Sequence, residues 1–109
     1  MRLVVTVIHD RDKGRMFDAL VGAGFTFTKI ASTGGFLREG NVTLLLGVED
    51  ERLDELVGLI SDNCKTREQF VNILPPDTRP IGTFLPNPVK VQVGGAVVFV
   101  VGVERFERF

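Results

Sequence analysis

The chain has 109 residues, 44% of them hydrophobic and 25% charged, with a formal net charge of -1. That is the composition of a single soluble globular domain over residues 1–109, able to bury roughly 65% of the surface its unfolded chain exposes. Near-neutral balance excludes a protein whose affinity comes mainly from neutralising nucleic-acid phosphates or an anionic membrane, since either needs a basic excess.

The chain opens on residues 3–8, apolar and β-branched on both faces, which read as a strand. Residues 1–10 have neither the length nor the small-residue cleavage site of a signal peptide, and no run approaches the roughly 18 apolar residues of a membrane span. Asp10 and Asp12 then supply capping side chains for a helix whose apolar side is Met16, Phe17, Leu20, Val21 and Ala23, stopped by Gly24. Residues 25–31 form a second strand, with Thr26, Thr28 and Ile30 on one face and Phe25, Phe27 and Lys29 on the other. A glycine-punctuated loop over 33–41 precedes a third strand over 42–48. Glu49, Asp50 and Glu51 put acids in the first turn of the next helix, where Leu53, Leu56, Val57 and Ile60 fall at i, i+3, i+4 and i+7. Cys64 is the only cysteine, so no internal disulfide or thiolate cluster is expected; it reads as a packing residue near that helix end, and the setting as reducing and cytoplasmic.

From residue 65 to 88 periodicity fades and Pro75, Pro76, Pro80, Pro86 and Pro88 interrupt the chain, predicting a long, mostly irregular loop. Residues 89–93, the pair Gly94 and Gly95, and residues 96–103 read as a hairpin. The tail alternates Arg105 and Arg108 with Phe106 and Phe109.

This order predicts an α+β, ferredoxin-like βαββαβ domain with an extra hairpin strand, a long loop after the second helix, and both helices on one face of an antiparallel sheet. Strands one, three and last are apolar on both faces, however, and two helices cover only one. The uncovered face predicts an obligate oligomer.

The chemistry-bearing residues are few. With strands one and three taken as parallel neighbours, Asp10, Asp12, Asp50 and Glu51 gather at one sheet edge, as a magnesium site would require. Helix capping accounts for the same acids, so no metal is assigned. His9 is the only histidine, and no serine or cysteine has a histidine–carboxylate relay; no catalytic residue and no cofactor are assigned. Gly34 and Gly35 match neither a P-loop nor a dinucleotide fingerprint. Their surroundings offer more: Phe36 to stack a base, Arg38 for a phosphate, Asn41 for a base edge, and glycine backbone N–H groups open to a ligand. A plain turn with a subunit contact explains the same residues. Arg105 and Arg108 either close over a ligand or pack the tail on a neighbouring subunit.

Thr33-Gly34-Gly35-Phe36-Leu37-Arg38 followed by Gly40-Asn41 resembles the cyclic di-AMP receptor-like, PII-like family. The likeness extends to Asp10, Ala31, Gly47-Val48, Arg52, Asp54-Glu55, Cys64, Arg67-Glu68-Gln69, Pro88-Val89, Val91, Val93-Gly94-Gly95-Ala96, Val98-Phe99-Val100 and Phe109. The resemblance implies a PII-like homotrimer, a signal receptor and not an enzyme, with cyclic di-AMP held in clefts between subunits and a long loop that responds to it and reaches an unknown downstream protein. It implies that Phe36 and Leu37 contact adenines, that Thr28 and Asn41 bond bases or phosphate, and that Gly47 permits close approach. With Thr26, Gly35, Arg38 and Arg108 these complete the expected ligand-binding set. Four positions depart from the family pattern: Gly24 stands for asparagine, Thr26 for arginine, Phe27 for alanine and Arg108 for glutamine. A regulator binding ATP, ADP or another nucleotide, a protein-interaction module and, less favoured, a magnesium-dependent nucleotide hydrolase are the competing readings.

Overall fold

The computed structural model describes residues 1–32, 40–73 and 87–109. Its elements run β1 (Arg2–His9), α1 (Lys13–Gly22), β2 (Thr28–Ser32), β3 (Asn41–Val48), α2 (Leu53–Cys64), β4 (Arg67–Ile73), β5 (Asn87–Val93) and β6 (Ala96–Gly102). A single 3-10 turn leads into each helix, over Asp10–Asp12 and Asp50–Arg52.

Helix α1 buries Met16 and Leu20 and leaves Val21 69% exposed, so its apolar stripe is narrower than the sequence implies. It ends where glycine is needed. Gly24 has φ +81°, the Gly24 N–H donates to the Val21 carbonyl, and the Phe25 N–H donates to the Leu20 carbonyl. This pair of bonds is a Schellman stop, completed by the buried Phe25 ring after the glycine. Because the chain turns through Gly24, β2 starts at Thr28 and not at residue 25. Helix α2 buries Leu56, Ile60 and Cys64, while Val57 is 37% exposed.

The acids do not cap as expected. Neither helix has a side-chain bond at its N-cap, and Asp12 is instead buried, with its carboxylate engaged by arginines. Arg15, one turn on, and Arg67, from a distant strand, take that oxygen in place of the backbone N–H groups.

The main sheet has order β2-β3-β1-β6, every neighbouring pair antiparallel. With two helices on one side, this is a ferredoxin-like arrangement. One set of alternate residues, with Val4, Ile8, Val42, Leu44, Leu46 and Val48 at its centre, meets Met16, Leu20, Phe25, Leu56, Ile60 and Cys64 from the helices and the chain between them. Thr6 is the polar residue of that side, and its hydroxyl donates to the Val97 carbonyl at 3.0 Å. The opposite set forms rows across the sheet: Thr28, Leu45, Val5 and Phe99; Ile30, Thr43, Val7 and Val97; Gly47, Leu3 and Val101. Among the described residues no helix covers this face, and Ile30, Phe99 and Val101 are exposed.

Two expectations are corrected and a third is refined. Strands β1 and β3 are antiparallel, since β3 lies between β1 and β2 and runs against both. Within the segment from 65 to 88, expected to be mostly irregular, β4 fills Arg67–Ile73 and β5 begins at Asn87, while residues 74–86, with the prolines at 75, 76, 80 and 86, lie outside the described residues. Residues 89–103 are not a hairpin. Gly94 and Gly95 have positive φ, +84° and +105°, but they turn the chain between two sheets, β5 pairing with β4 and β6 with β1.

Candidate ligand site at the open sheet face

Antiparallel pairing sends the two acidic turns to opposite ends of the sheet, because β1 and β3 finish at opposite ends. Asp10 lies beside Gly40, whose carbonyl accepts its N–H at 3.0 Å, and its carboxylate takes Lys13 at 3.0 Å. Asp50 sits at the other end against the terminal amino group at 3.3 Å and Arg2 at 3.2 Å. The amino group, and then Arg2, hold the Asp50 carboxyl below its ordinary value. The four acids therefore cannot share a magnesium ion, and no carboxylate, histidine or cysteine cluster suited to a metal occurs among the described residues.

Of the expected ligand-binding residues, Gly35, Phe36, Leu37 and Arg38 lie outside the described residues. Thr28 and Gly47 come together: Thr28 faces Leu45 in the register, and Gly47 is the next residue of β3 on the same side, about 7 Å along the strand. Thr26, exposed, precedes Thr28 toward that same end. Asn41 is buried at the opposite end of β3, about 20 Å from Gly47 by strand rise. Arg108 is exposed on the tail, which leaves the sheet at the Gly47 end, where Gly102 pairs with Arg2 and the Val103 N–H donates to the Met1 carbonyl at 3.3 Å.

Among the described residues nothing requires Gly47 to be glycine. A Cβ there would meet only the Met1 methyl, at 4.0 Å, in ordinary contact. Gly24 differs, because its φ of +81° is the conformation that glycine adopts freely and asparagine, among other residues, tolerates best. Glycine, where the resemblance implied asparagine, thus keeps the backbone turn while offering no amide. Phe27 belongs to the helix side: its ring lies 5.1 Å from that of Phe17, tilted by 31°. It is a packing residue here.

Sequence spacing missed the anchor that positions this edge of the domain. Arg52 donates to the Ala23 carbonyl at the end of α1 at 2.8 Å, stacks its guanidinium 4.0 Å over the Phe25 ring and pairs with Glu55 at 3.0 Å. A cation at a helix C-terminus complements its dipole. The same pairing lowers the Glu55 carboxyl and raises the Arg52 guanidinium.

A cavity of about 240 Å³ lies on the helix side, between α2, the 65–66 link and β6, lined in part by Val57, Ile60, Cys64, Gly95 and Val98. None of the described ligand-binding candidates lines it. Thr28, Asn41 and Gly47 instead spread along the sheet, with Thr26 just before β2 and Arg108 on the tail.

The molecule so described is a small α+β protein with a two-helix, antiparallel-sheet body and an additional two-stranded ribbon. Its fold is shared, with TM-score 0.78 and 38% identity over 99% of this chain and 96% of the other, by a functionally unknown protein from Pediococcus pentosaceus ATCC 25745. The sequence model of the cyclic-di-AMP receptor family matches residues 1–109, and the chain belongs to that family.

Proposed function

We propose that the chain is a cyclic di-AMP receptor that works as a homotrimer, with each site completed where two copies meet. The observation that carries the interface reading is the separation of Gly47 and Asn41 at opposite ends of β3, with an uncovered apolar face between them. The exposed Phe106 and Phe109 on the tail support it, since aromatic side chains left in water within one chain suit a neighbour's surface. In this reading Thr26, Thr28, Asn41 and Gly47 act with Gly35, Phe36, Leu37 and Arg38 of the adjoining segment, and Arg108 brings charge from the tail. Ligand binding orders segments beside the cleft and so alters affinity for a downstream protein, without catalysis.

Thr26 favours a second reading, a PII-like regulator of ATP, ADP or another nucleotide. Threonine in place of a phosphate-binding arginine forfeits a charge-assisted bond of about 1.5–3 kcal/mol. Calorimetry with cyclic di-AMP, cyclic di-GMP and ATP separates the two. Selective micromolar or tighter binding of cyclic di-AMP, lost in Phe36→Ala, is expected; preference for ATP, or no binding, overturns the receptor assignment.

A further inference from the structure

The β4–β5 ribbon is a sheet of its own, joined to the domain through residues 65–66 on one side and 94–95 on the other. The bonds at that root involve residues far apart in sequence. Arg67, the first residue of β4, donates from Nη2 to Asp12 Oδ1 at 3.1 Å and from Nη1 to the Lys65 carbonyl at 3.3 Å. The Gly95 N–H donates to the Cys64 carbonyl. Arg15 shares the Asp12 oxygen, at 2.8 Å.

Asp12 is fully buried, and its second oxygen, Oδ2, has no hydrogen-bond partner among the described residues. A residue at this N-cap position would ordinarily bond the first turn of its helix. This one forgoes that bond and faces arginines, one of them from the ribbon. If Arg67 leaves, the buried carboxylate keeps its desolvation cost with Arg15 alone to offset it, so the arrangement resists opening. Gly94 closes the root from the other side: at φ +84°, a Cβ there would stand 2.5 Å from Arg67 Nη1 and 2.8 Å from the Lys65 carbonyl. The ribbon also has its own internal ion pair, Lys90 with Glu68 at 2.9 Å, so its strands stay together when the root moves.

We propose that the Asp12–Arg67 pair is a latch that fixes the angle of the β4–β5 ribbon on the domain, with residues 65–66 and Gly94–Gly95 as the hinge it restrains. The latch is independent of which nucleotide the protein binds and is tested without ligand.

Nitroxide labels at Asp18→Cys on α1 and Gln92→Cys on β5, both exposed, report the ribbon angle by double electron–electron resonance. Labels at Asp18→Cys and Asp62→Cys report the domain alone. Labelled chains are diluted with unlabelled ones so that each assembly carries one labelled copy. Asp12→Asn and Arg67→Gln should each widen the α1–β5 distance distribution about twofold while the domain pair stays narrow. Gly94→Ala, which crowds Arg67 without removing a charge, should do the same and serves if a charge variant fails to fold. An unchanged α1–β5 distribution overturns the latch. So does equal broadening of both pairs, which would make Asp12–Arg67 a general stability contact.

Discussion

The two faces of one sheet pose different problems to the chain. On the helix side, Val4, Leu44 and Leu46 are fully or almost fully buried, each enclosed by elements of the same chain. On the other side, Val5, Leu45, Phe99 and Val101 have comparable apolar character but no helix over them among the described residues, with Val5 and Leu45 half-buried and Phe99 42% exposed. Composition is nearly the same; connectivity is not. Both crossovers of a split βαβ plan place their helices on one face, so the described elements leave an equally apolar second face open.

The largest effect that sharpens this contrast belongs to the covered face. Leu46→Ala removes a fully enclosed side chain and should cost about 2–5 kcal/mol in chemical denaturation. A loss under 1 kcal/mol would mean that the helix side is not the core. On the open face, Phe99→Asp should leave secondary structure intact by circular dichroism while lowering the mass in sedimentation about threefold. An unchanged mass would break the comparison, because the face would then be free of subunit contact. The smallest effect concerns Cys64, enclosed on the covered side with its thiol donating to the Met16 sulfur at 3.6 Å. Burial, reinforced by the Asp12 carboxylate, raises its pKa from 9.0 to about 11. The thiol should therefore stay unlabelled by an aromatic disulfide reagent at pH 8 unless the protein unfolds, and rapid labelling would deny its enclosure. The sign for stability follows: the shift contributes fully below pH 9.0, and that contribution is lost as pH rises through about 11.

Elements whose signal is local were legible in the sequence. The i, i+3, i+4, i+7 spacing in α2 and the apolar runs of β1 and β3 depend on neighbouring residues, and all three form as read. Pairing was not legible. Gly94 and Gly95 between two apolar runs look the same whether those runs pair with each other or part to different sheets, and β4 lacked the periodicity that would have offered β5 another partner. The direction of β1 against β3 failed for a related reason, since it depends on where β2 returns in space. Of the candidate site residues, Thr28 and Gly47 lie in the second and third strands where the sequence pattern put them, and the structure supplies the reason that Gly24 is a glycine. Arg67 and Asp12, 55 positions apart, carry no spacing signal at all.

Strand β6 lies at an edge of the sheet, and its sequence, Ala96 to Gly102, reads AVVFVVG without a charge or a proline. Short windows of this kind, with one backbone edge unpaired among the described strands, are templates for fibrillar stacking. A single chain with that edge in solvent is therefore at risk of uncontrolled polymerisation. Assembly of the kind proposed above then protects the chain from itself, and solubility and quaternary structure become the same selective problem.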